Sequence, residues 1–487
     1  MMIGAPISPH VLRFLRRDIV DAISPETAHL FAHQREALVR IRYLVREYGG
    51  AWLRLGLGGG KTCIAITWAS EYKRALIICP KTLIPTWEAE IKKHAKKSYI
   101  VISWDAQKSK TQKWGRAYAD ALRSPWVFFI VNAEAFSAKN TILEKYLLSF
   151  GADCVAIDES SKIKSADAQR TKNILKFIRG IPARVAMTGT EITQSPLDVF
   201  AQSEFVCRRF LGYTSFWLFR NDHTITQKRY TAGGAKSFDE IVGYKNIPAL
   251  IEKLGNISYV KRTEDCIDLP PKTYMTIPIE LSAEEKKAYA EIKNDLMTQL
   301  SSGVFTVETK IAAFTKLRQI TGGTVLTESG LHQFENPAKL SATVDELEDV
   351  SEQVVIFAAF RGEIAMLKNN LDAVTFYGDD SADAKRDALE QFQAGKVQCF
   401  IAHPASGGYG LNLQNSRALY WYSLPTSLGD HIQAEGRIYR SGQTRPCIYK
   451  SLVATGTIDE RIAELLAGKA EILKEFRSWG AKEIEKL

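Results

Sequence analysis

The sequence predicts an α/β fold of two lobes, each a parallel sheet with helices on both faces. Three observations predict it. Apolar runs of strand length, rich in Val, Ile and Phe, recur along the 487-residue chain and alternate with helix-like stretches. The runs are continuous rather than alternating, the pattern of strands buried on both faces. The series breaks once, between about 205 and 275, and so falls into two groups.

In the first group the strands are expected in "ALIICP" (75–80), "WVFFIV" (126–131), "CVAID" (154–158) and "RVAMTGT" (184–190). A further strand is expected to lead into the glycine turn of "LRLGLGGGKTCIAITWA" (53–69), with a helix after it. "TWEAEIKKHAKK" reads as an amphipathic helix with Trp87 and Ile91 inward and Lys92, Lys93, Lys96 and Lys97 outward. The interrupting segment is aromatic, basic and turn-rich, and 205–265 is expected to be an irregular insertion and linker closing a first lobe of residues 1–265. The two prolines of "VKRTEDCIDLPPK" end any regular element there. The second lobe, 266–487, opens with a helical insertion near 281–320, where Ser282 and Glu285 form a capping box and Tyr289, Ile292 and Leu296 share a face. Its strands are expected in "VVIFAAF" (354–360), "AVTFYG" (373–378), "VQCFIAH" (397–403) and "ALYWYSL" (418–424).

Composition sets bounds. Hydrophobic residues make up 45% and charged residues 24%, ordinary for a soluble globular chain. No apolar run approaches the ~18 residues of a membrane span, and the N-terminus lacks the apolar core of a signal peptide. Cysteines at 63, 79, 154, 207, 266, 399 and 447 form no CxxC pair, so no structural metal is expected, and their scatter fits reduced thiols in a cytoplasm. The net charge of +9 permits a polyanion partner without requiring one.

The chemistry begins at the glycine turn. A strand, a glycine loop, Lys-Thr and a helix can wrap a nucleotide phosphate, because glycines let backbone N–H groups approach the oxygens and the helix adds its dipole. Lys61 would reach the β- and γ-phosphates and Thr62 would ligate magnesium. Leu55 stands where the strict GxxxxGK[ST] pattern has glycine, and alone the loop also fits a turn before an ordinary helix. Asp158 and Glu159 end an apolar strand, where a magnesium-holding aspartate and a water-activating glutamate belong, or simply two exposed carboxylates. Arg437 and Arg440 are three apart, so on a helix they project from one face. They suit charge on a transferring phosphoryl group or, alone, a basic exposed face.

Together these segments resemble a superfamily-two helicase core, and within it the Swi/Snf-like branch of DNA translocases, from about Phe31 to Lys469 in the family's motif order. "FAHQREAL" resembles the glutamine motif and "GLGGGKT" motif I, where the family also lacks a glycine at the position of Leu55. "LIICPKTLIPTWEAEI" resembles motif Ia, and "DESSKIKSADAQRTK" motif II, with Ser161 in place of the commoner histidine. "MTGTEITQSPLDVF" resembles motif III with Glu191 where proline is usual. "VKRTEDCIDLPPK" and "KLRQIT" resemble the junction and the helix after it. "VVIFAAFRGEI", "ASGGYGLNLQNSRALYWYSLP" and "QAEGRIYRSGQTRPCIYKSLVATGTIDERI" resemble motifs IV, V and VI.

The resemblance implies two RecA-like lobes with ATP and Mg2+ between them. It implies catalytic roles for Lys61, Asp158, Glu159, Arg437 and Arg440, and nucleotide binding by Gln34, Gly58, Gly59, Gly60, Lys61, Thr62 and Gly410. Thr62 and Asp158 would hold the metal. Thr188, Gly189, Thr190 and Gln433 would couple hydrolysis to motion. Lys81, Thr82, Asn132, Ser406 and Gly407 would touch DNA phosphates without reading bases. The implied function is an ATP-dependent translocase on duplex or branched DNA in replication, recombination or repair, acting as a monomer. The alternatives are a strand-separating DNA or RNA helicase, with 205–245 as a wedge, and a nucleotide-regulated binding module. A chain that is nearly all motor fits a bacterial or phage-infected cell's cytoplasm, or a nucleus if eukaryotic.

Overall fold

The computed structural model describes residues 27–95, 97–189, 195–230, 237–266, 269–301, 307–407, 410–440 and 442–468. Its strands, in chain order, are β1 (Gly50–Leu55), β2 (Arg74–Cys79), β3 (Ile100–Ser103), β4 (Val127–Asn132), β5 (Cys154–Ile157), β6 (Ala183–Thr188), β7 (Thr224–Tyr230), β8 (Ser237–Tyr244), β9 (Ser258–Lys261), β10 (Lys272–Ile279), β11 (Thr324–Thr327), β12 (Gly330–Gln333), β13 (Val354–Phe357), β14 (Ala373–Phe376), β15 (Cys399–Ala402), β16 (Ala418–Trp421) and β17 (Cys447–Ala454). Each apolar run read from the sequence overlaps one of them. The described residues divide into two compact units, those of 27–225 and 243–266 in one, and those of 226–242 and 269–468 in the other.

The first unit carries a seven-stranded sheet in the order β3-β4-β2-β5-β6-β1-β9, with every pairing parallel. Strands β2, β4 and β5 are buried almost end to end because helices cover both faces. One core gathers Leu38, Ile41 and Leu44 of the helix Ala32–Tyr48, Ile64 and Trp68 of the helix Lys61–Ala69, and Trp87 and Ile91 of the helix Ile84–His94. That last helix follows the expected pattern, with Lys92 and Lys93 exposed, but it ends at His94. Lys97 lies beyond it with its Nζ 3.7 Å from the Trp126 ring centre, and Lys96 lies outside the described residues.

The segment 205–265 is more regular than its composition suggests. It holds the helices Phe216–His223 and Ile247–Asn256, the two-stranded sheet β7–β8, and β9, which pairs with β1 as the seventh strand. These elements are short, and turn residues separate them, so no periodic signal has room to build.

The second unit carries a six-stranded parallel sheet, β10-β17-β16-β13-β15-β14, and a small antiparallel pair, β11–β12. The helices Ala283–Ser301 and Val307–Thr321 precede its core. The capping box forms as expected: Glu285 N donates to Ser282 Oγ at 3.3 Å, and Ser282 N donates to Glu285 Oε2 at 2.9 Å. Strand β10 escaped prediction because most of its residues are exposed on an edge, so it has no buried apolar run.

The "GTIDE" segment locks this unit. Asp459 Oδ2 lies 2.5 Å from Lys339 Nζ, and both side chains are buried. Lys339 also donates to the Tyr422 carbonyl at 3.1 Å, and Asp459 accepts from Thr321 Oγ1 at 3.1 Å. Removing one member of a buried pair strands the other charge. Asp459→Ala is therefore expected to lower the unfolding free energy of this unit by about 3–5 kcal/mol, whereas Lys339→Met combined with Asp459→Leu costs much less. Urea unfolding of the three chains checks this.

Among the described residues no helix is long and apolar enough to cross a membrane.

Candidate functional site: a phosphate loop at the carboxyl edge of the first sheet

The sheet order collects the predicted residues of the first unit. In a parallel sheet, loops at the carboxyl ends of neighbouring strands share one edge, where ligands of open α/β folds bind. The glycine turn follows β1, Lys81 and Thr82 follow β2, Asn132 ends β4, Asp158 and Glu159 follow β5, and Thr188 and Gly189 close β6. Strands β4, β2, β5, β6 and β1 are consecutive in the sheet. Thr190, and Glu191 after it, lie outside the described residues.

The loop is shaped by what packs against it. Gly58 and Gly60 both take φ +78°, a left-handed conformation costly for any side chain. A Cβ on Gly60 would stand 2.0 Å from Gln34 Nε2, and one on Gly56 2.2 Å from Thr263 Oγ1. The buried Gln34 is held in turn, its Oε1 accepting from Phe31 N at 3.0 Å. His33 Nε2 lies 3.1 Å from the Gly59 carbonyl, so the glutamine motif supports the loop through two neighbouring side chains. Lys61 Nζ donates to the carbonyls of Leu55 at 3.0 Å and Gly56 at 3.1 Å, and a Cβ on Gly189 would lie 3.4 Å from it. Thr62 is half-buried in the first turn of the helix behind the loop.

Asp158 is 7% exposed. Its Oδ2 accepts from Trp87 Nε1 at 2.9 Å and its Oδ1 from Glu159 N at 3.0 Å. Burial pushes this carboxyl up, while the indole, the Lys61 ammonium and the Glu159 backbone pull it back. A desolvated carboxylate of this kind is well suited to a divalent cation, whose charge offsets the burial. Asp158 and Thr62 thus fit Mg2+ and would hold it; the metal would supply charge neutralisation at the phosphates. Glu159 is buried with φ +53°, an unfavourable backbone for a residue with a side chain and a recurrent mark of active sites.

The second unit groups its own predicted residues. Gln433 is buried in the helix Leu428–Glu435. The expectation that Arg437 and Arg440 project from a helix is corrected here. The helix ends at Glu435 with Gly436 as its cap, and both arginines lie in the turn that follows. Local bonds draw that backbone out of the helix. The Arg437 carbonyl accepts from Leu413 N at 3.1 Å, Arg440 Nη1 donates to the Leu411 carbonyl at 2.9 Å, and Gln443 Nε2 donates to the carbonyls of Gln414, Ser416 and Ile438. Arg437 is buried, and burial lowers the Arg440 guanidinium from its usual range. Ser406 and Gly407 lie in the short helix Pro404–Gly407 beyond β15, and Gly410 is exposed with φ +74°.

Lys81 and Thr82 are exposed in a single 3-10 turn, and Asn132 stands in register with Cys79 at the end of β2. The sequence did not reveal Trp87 as the partner of Asp158, nor Thr263 as a wall of the loop. The available signal was general: a fully buried Trp needs an acceptor for its N–H. Trp87→Phe keeps an aromatic ring but removes the N–H donor together with the volume of the indole's second ring. It is expected to raise the Mg2+ concentration for half-maximal ATP turnover by about tenfold, as loss of an outer hydrogen bond to a metal ligand does. A Mg2+ titration of turnover checks this.

The site and sheet define a phosphate-loop α/β protein with a second α/β unit. The chain belongs to the SNF2-related family: the SNF2-related domain matches residues 38–325, and the helicase conserved C-terminal domain matches 338–442. It is 25% identical over 484 residues to an uncharacterized ATP-dependent helicase of Mycoplasma genitalium, a match covering 94% of this chain and 44% of that protein. It is 23% identical to the uncharacterized ATP-dependent helicase YqhH of Bacillus subtilis (91% and 78% covered). It is 24% identical to the DNA repair and recombination protein RDH54 of Saccharomyces cerevisiae (83% and 44%). The chain thus spans less than half the length of the Mycoplasma and yeast proteins. Among solved structures it is similar to the Sulfolobus solfataricus SWI2/SNF2 ATPase core in complex with dsDNA, with TM-score 0.40, 21% identity, and 94% and 95% of the two chains covered.

Proposed function

We propose that this chain is an ATP-dependent translocase that moves along double-stranded or branched DNA. One observation carries the reading: Lys61, Gly189, Asp158 and Glu159 converge at one sheet edge, and the exposed Lys81 and Thr82 stand on the neighbouring strand end. Lys61 binds the terminal phosphates, Asp158 and Thr62 hold the magnesium ion, and Glu159 takes the proton of the attacking water. Arg437 and Arg440 supply positive charge to the transferring phosphoryl group. Membership of the SNF2-related family and relatives named ATP-dependent helicases and a DNA repair and recombination protein support the same reading.

DNA binding rests on phosphate contacts, so affinity for two unrelated duplexes is expected to be alike and to fall steeply with salt. Strong preference for one duplex with a flat salt dependence contradicts this. The output is tested by ATP-driven displacement of a triplex-forming strand, with Lys61→Ala as the inactive control. A strand-separating helicase is the second reading, favoured by the two-stranded element β7–β8 within 205–245, which could act as a wedge. Efficient unwinding of a tailed duplex without triplex displacement selects it.

A further inference from the structure

The three side chains His29, Cys63 and His94 offer one ligand atom each, all within 4.8 Å of one another. They come from three elements: the turn before the glutamine motif, the first turn of the helix Lys61–Ala69, and the last residue of the helix Ile84–His94. Cys63 Sγ lies 3.5 Å from His94 Nδ1. Two ligands of one tetrahedral zinc, at the usual Zn–S and Zn–N lengths, stand about 3.5 Å apart. His94 Nε2 is 3.1 Å from Glu90 Oε2 one helical turn back. A carboxylate there keeps the proton on Nε2 and leaves the Nδ1 lone pair facing the thiol, the arrangement that orients a metal-bound histidine. The His29 ring stacks on His94 with centroids 5.7 Å apart, and His29 is exposed, so its ring is not locked in place by core packing.

We propose that His29, Cys63 and His94 form a zinc site, with Glu90 as the outer partner of His94 and solvent in the fourth position. Two imidazoles and a thiolate suit zinc over magnesium or calcium. Binding replaces the Cys63 thiol proton by the metal–sulfur bond and releases that proton to water. The site adjoins the phosphate loop without overlapping it, since Cys63 directly follows Thr62. An ion there ties the helix behind the loop both to the helix that carries Trp87 and to the turn that leads into Gln34. Cysteine spacing gave no hint of it, because Cys63 and His94 are 31 residues apart and the third ligand comes from another segment.

The test uses the full chain, stripped with chelator under reducing conditions and titrated with Co2+. One equivalent is expected to give a thiolate-to-cobalt charge-transfer band and the visible bands of a tetrahedral ion, both bleached by Zn2+. Cys63→Ser is expected to abolish the charge-transfer band, and Cys207→Ser to retain it. Glu90→Gln is expected to weaken Co2+ binding about tenfold. Because His29 is exposed, His29→Ala perturbs folding least, and it too is expected to weaken binding at least tenfold. Absence of a charge-transfer band in the parent chain overturns the site, as does a band unchanged in both Cys63→Ser and His29→Ala.

Discussion

Glu159→Gln is expected to bind ATP as the parent chain does and to hydrolyse it about a hundredfold to ten-thousandfold more slowly, the usual worth of a positioned general base. The substitution keeps the side chain's size, so the φ of +53° at this position is already tolerated, and it leaves Asp158 to hold the metal. The Glu159 N–H bond to Asp158 Oδ1 comes from the backbone and survives the change. Nucleotide affinity measured by fluorescence alongside single-turnover hydrolysis separates the two effects. Parent-rate hydrolysis in this variant would remove Glu159 from the chemistry and leave it a structural corner.

Arg437→Ala is expected to cut ATP turnover about a thousandfold, the scale of an arginine finger in related phosphoryl transfer, with nucleotide affinity nearly unchanged. Arg440→Ala is expected to act in the same direction with an added cost to stability, because its Nη1 bond to the Leu411 carbonyl is lost. Urea midpoints for both variants distinguish the roles. If turnover falls only in proportion to stability, these side chains hold the turn together and do not assist the reaction. Lysine at either position keeps the charge but loses the planar fork, so partial recovery is expected.

The sequence made much of this legible for a physical reason. Buried parallel strands must be continuous apolar runs, so β2, β4, β5, β13 and β16 announce themselves in composition. The glycine loop and the Asp158–Glu159 pair are equally visible, because local backbone demands and strand-end chemistry are written in adjacent residues. What stayed hidden depends on tertiary neighbours. The indole of Trp87 reaches Asp158 across 71 residues, and Thr263 closes on Gly56 from the far end of the unit. The arginines were misplaced because helical spacing continues through "EGRIYR" in sequence, while Gly436 and bonds to the 411–416 loop end the helix in space. Strand β10 was missed because an exposed edge strand needs no apolar run.

The position of β1 in the first sheet also sets an order of events during synthesis. Its sheet neighbours are β6 and β9, so the strand that carries the phosphate loop emerges early and then waits for partners more than a hundred residues downstream. Strands β2 to β5 can pair among themselves meanwhile, but Trp52, Leu53 and Leu55 have no sheet to enter until β6 arrives. The six-stranded sheet of the second unit repeats the problem more severely, since β10 is its first strand in the chain and pairs along its whole length with β17, its last. Such long-range parallel closures are slow to form and leave apolar edges open to other chains. A ribosome pausing between β1 and β6 therefore holds out the strand that leads into the phosphate loop with its apolar side chains unpaired, and a chaperone that shields early apolar strands would act on the residues around Trp52.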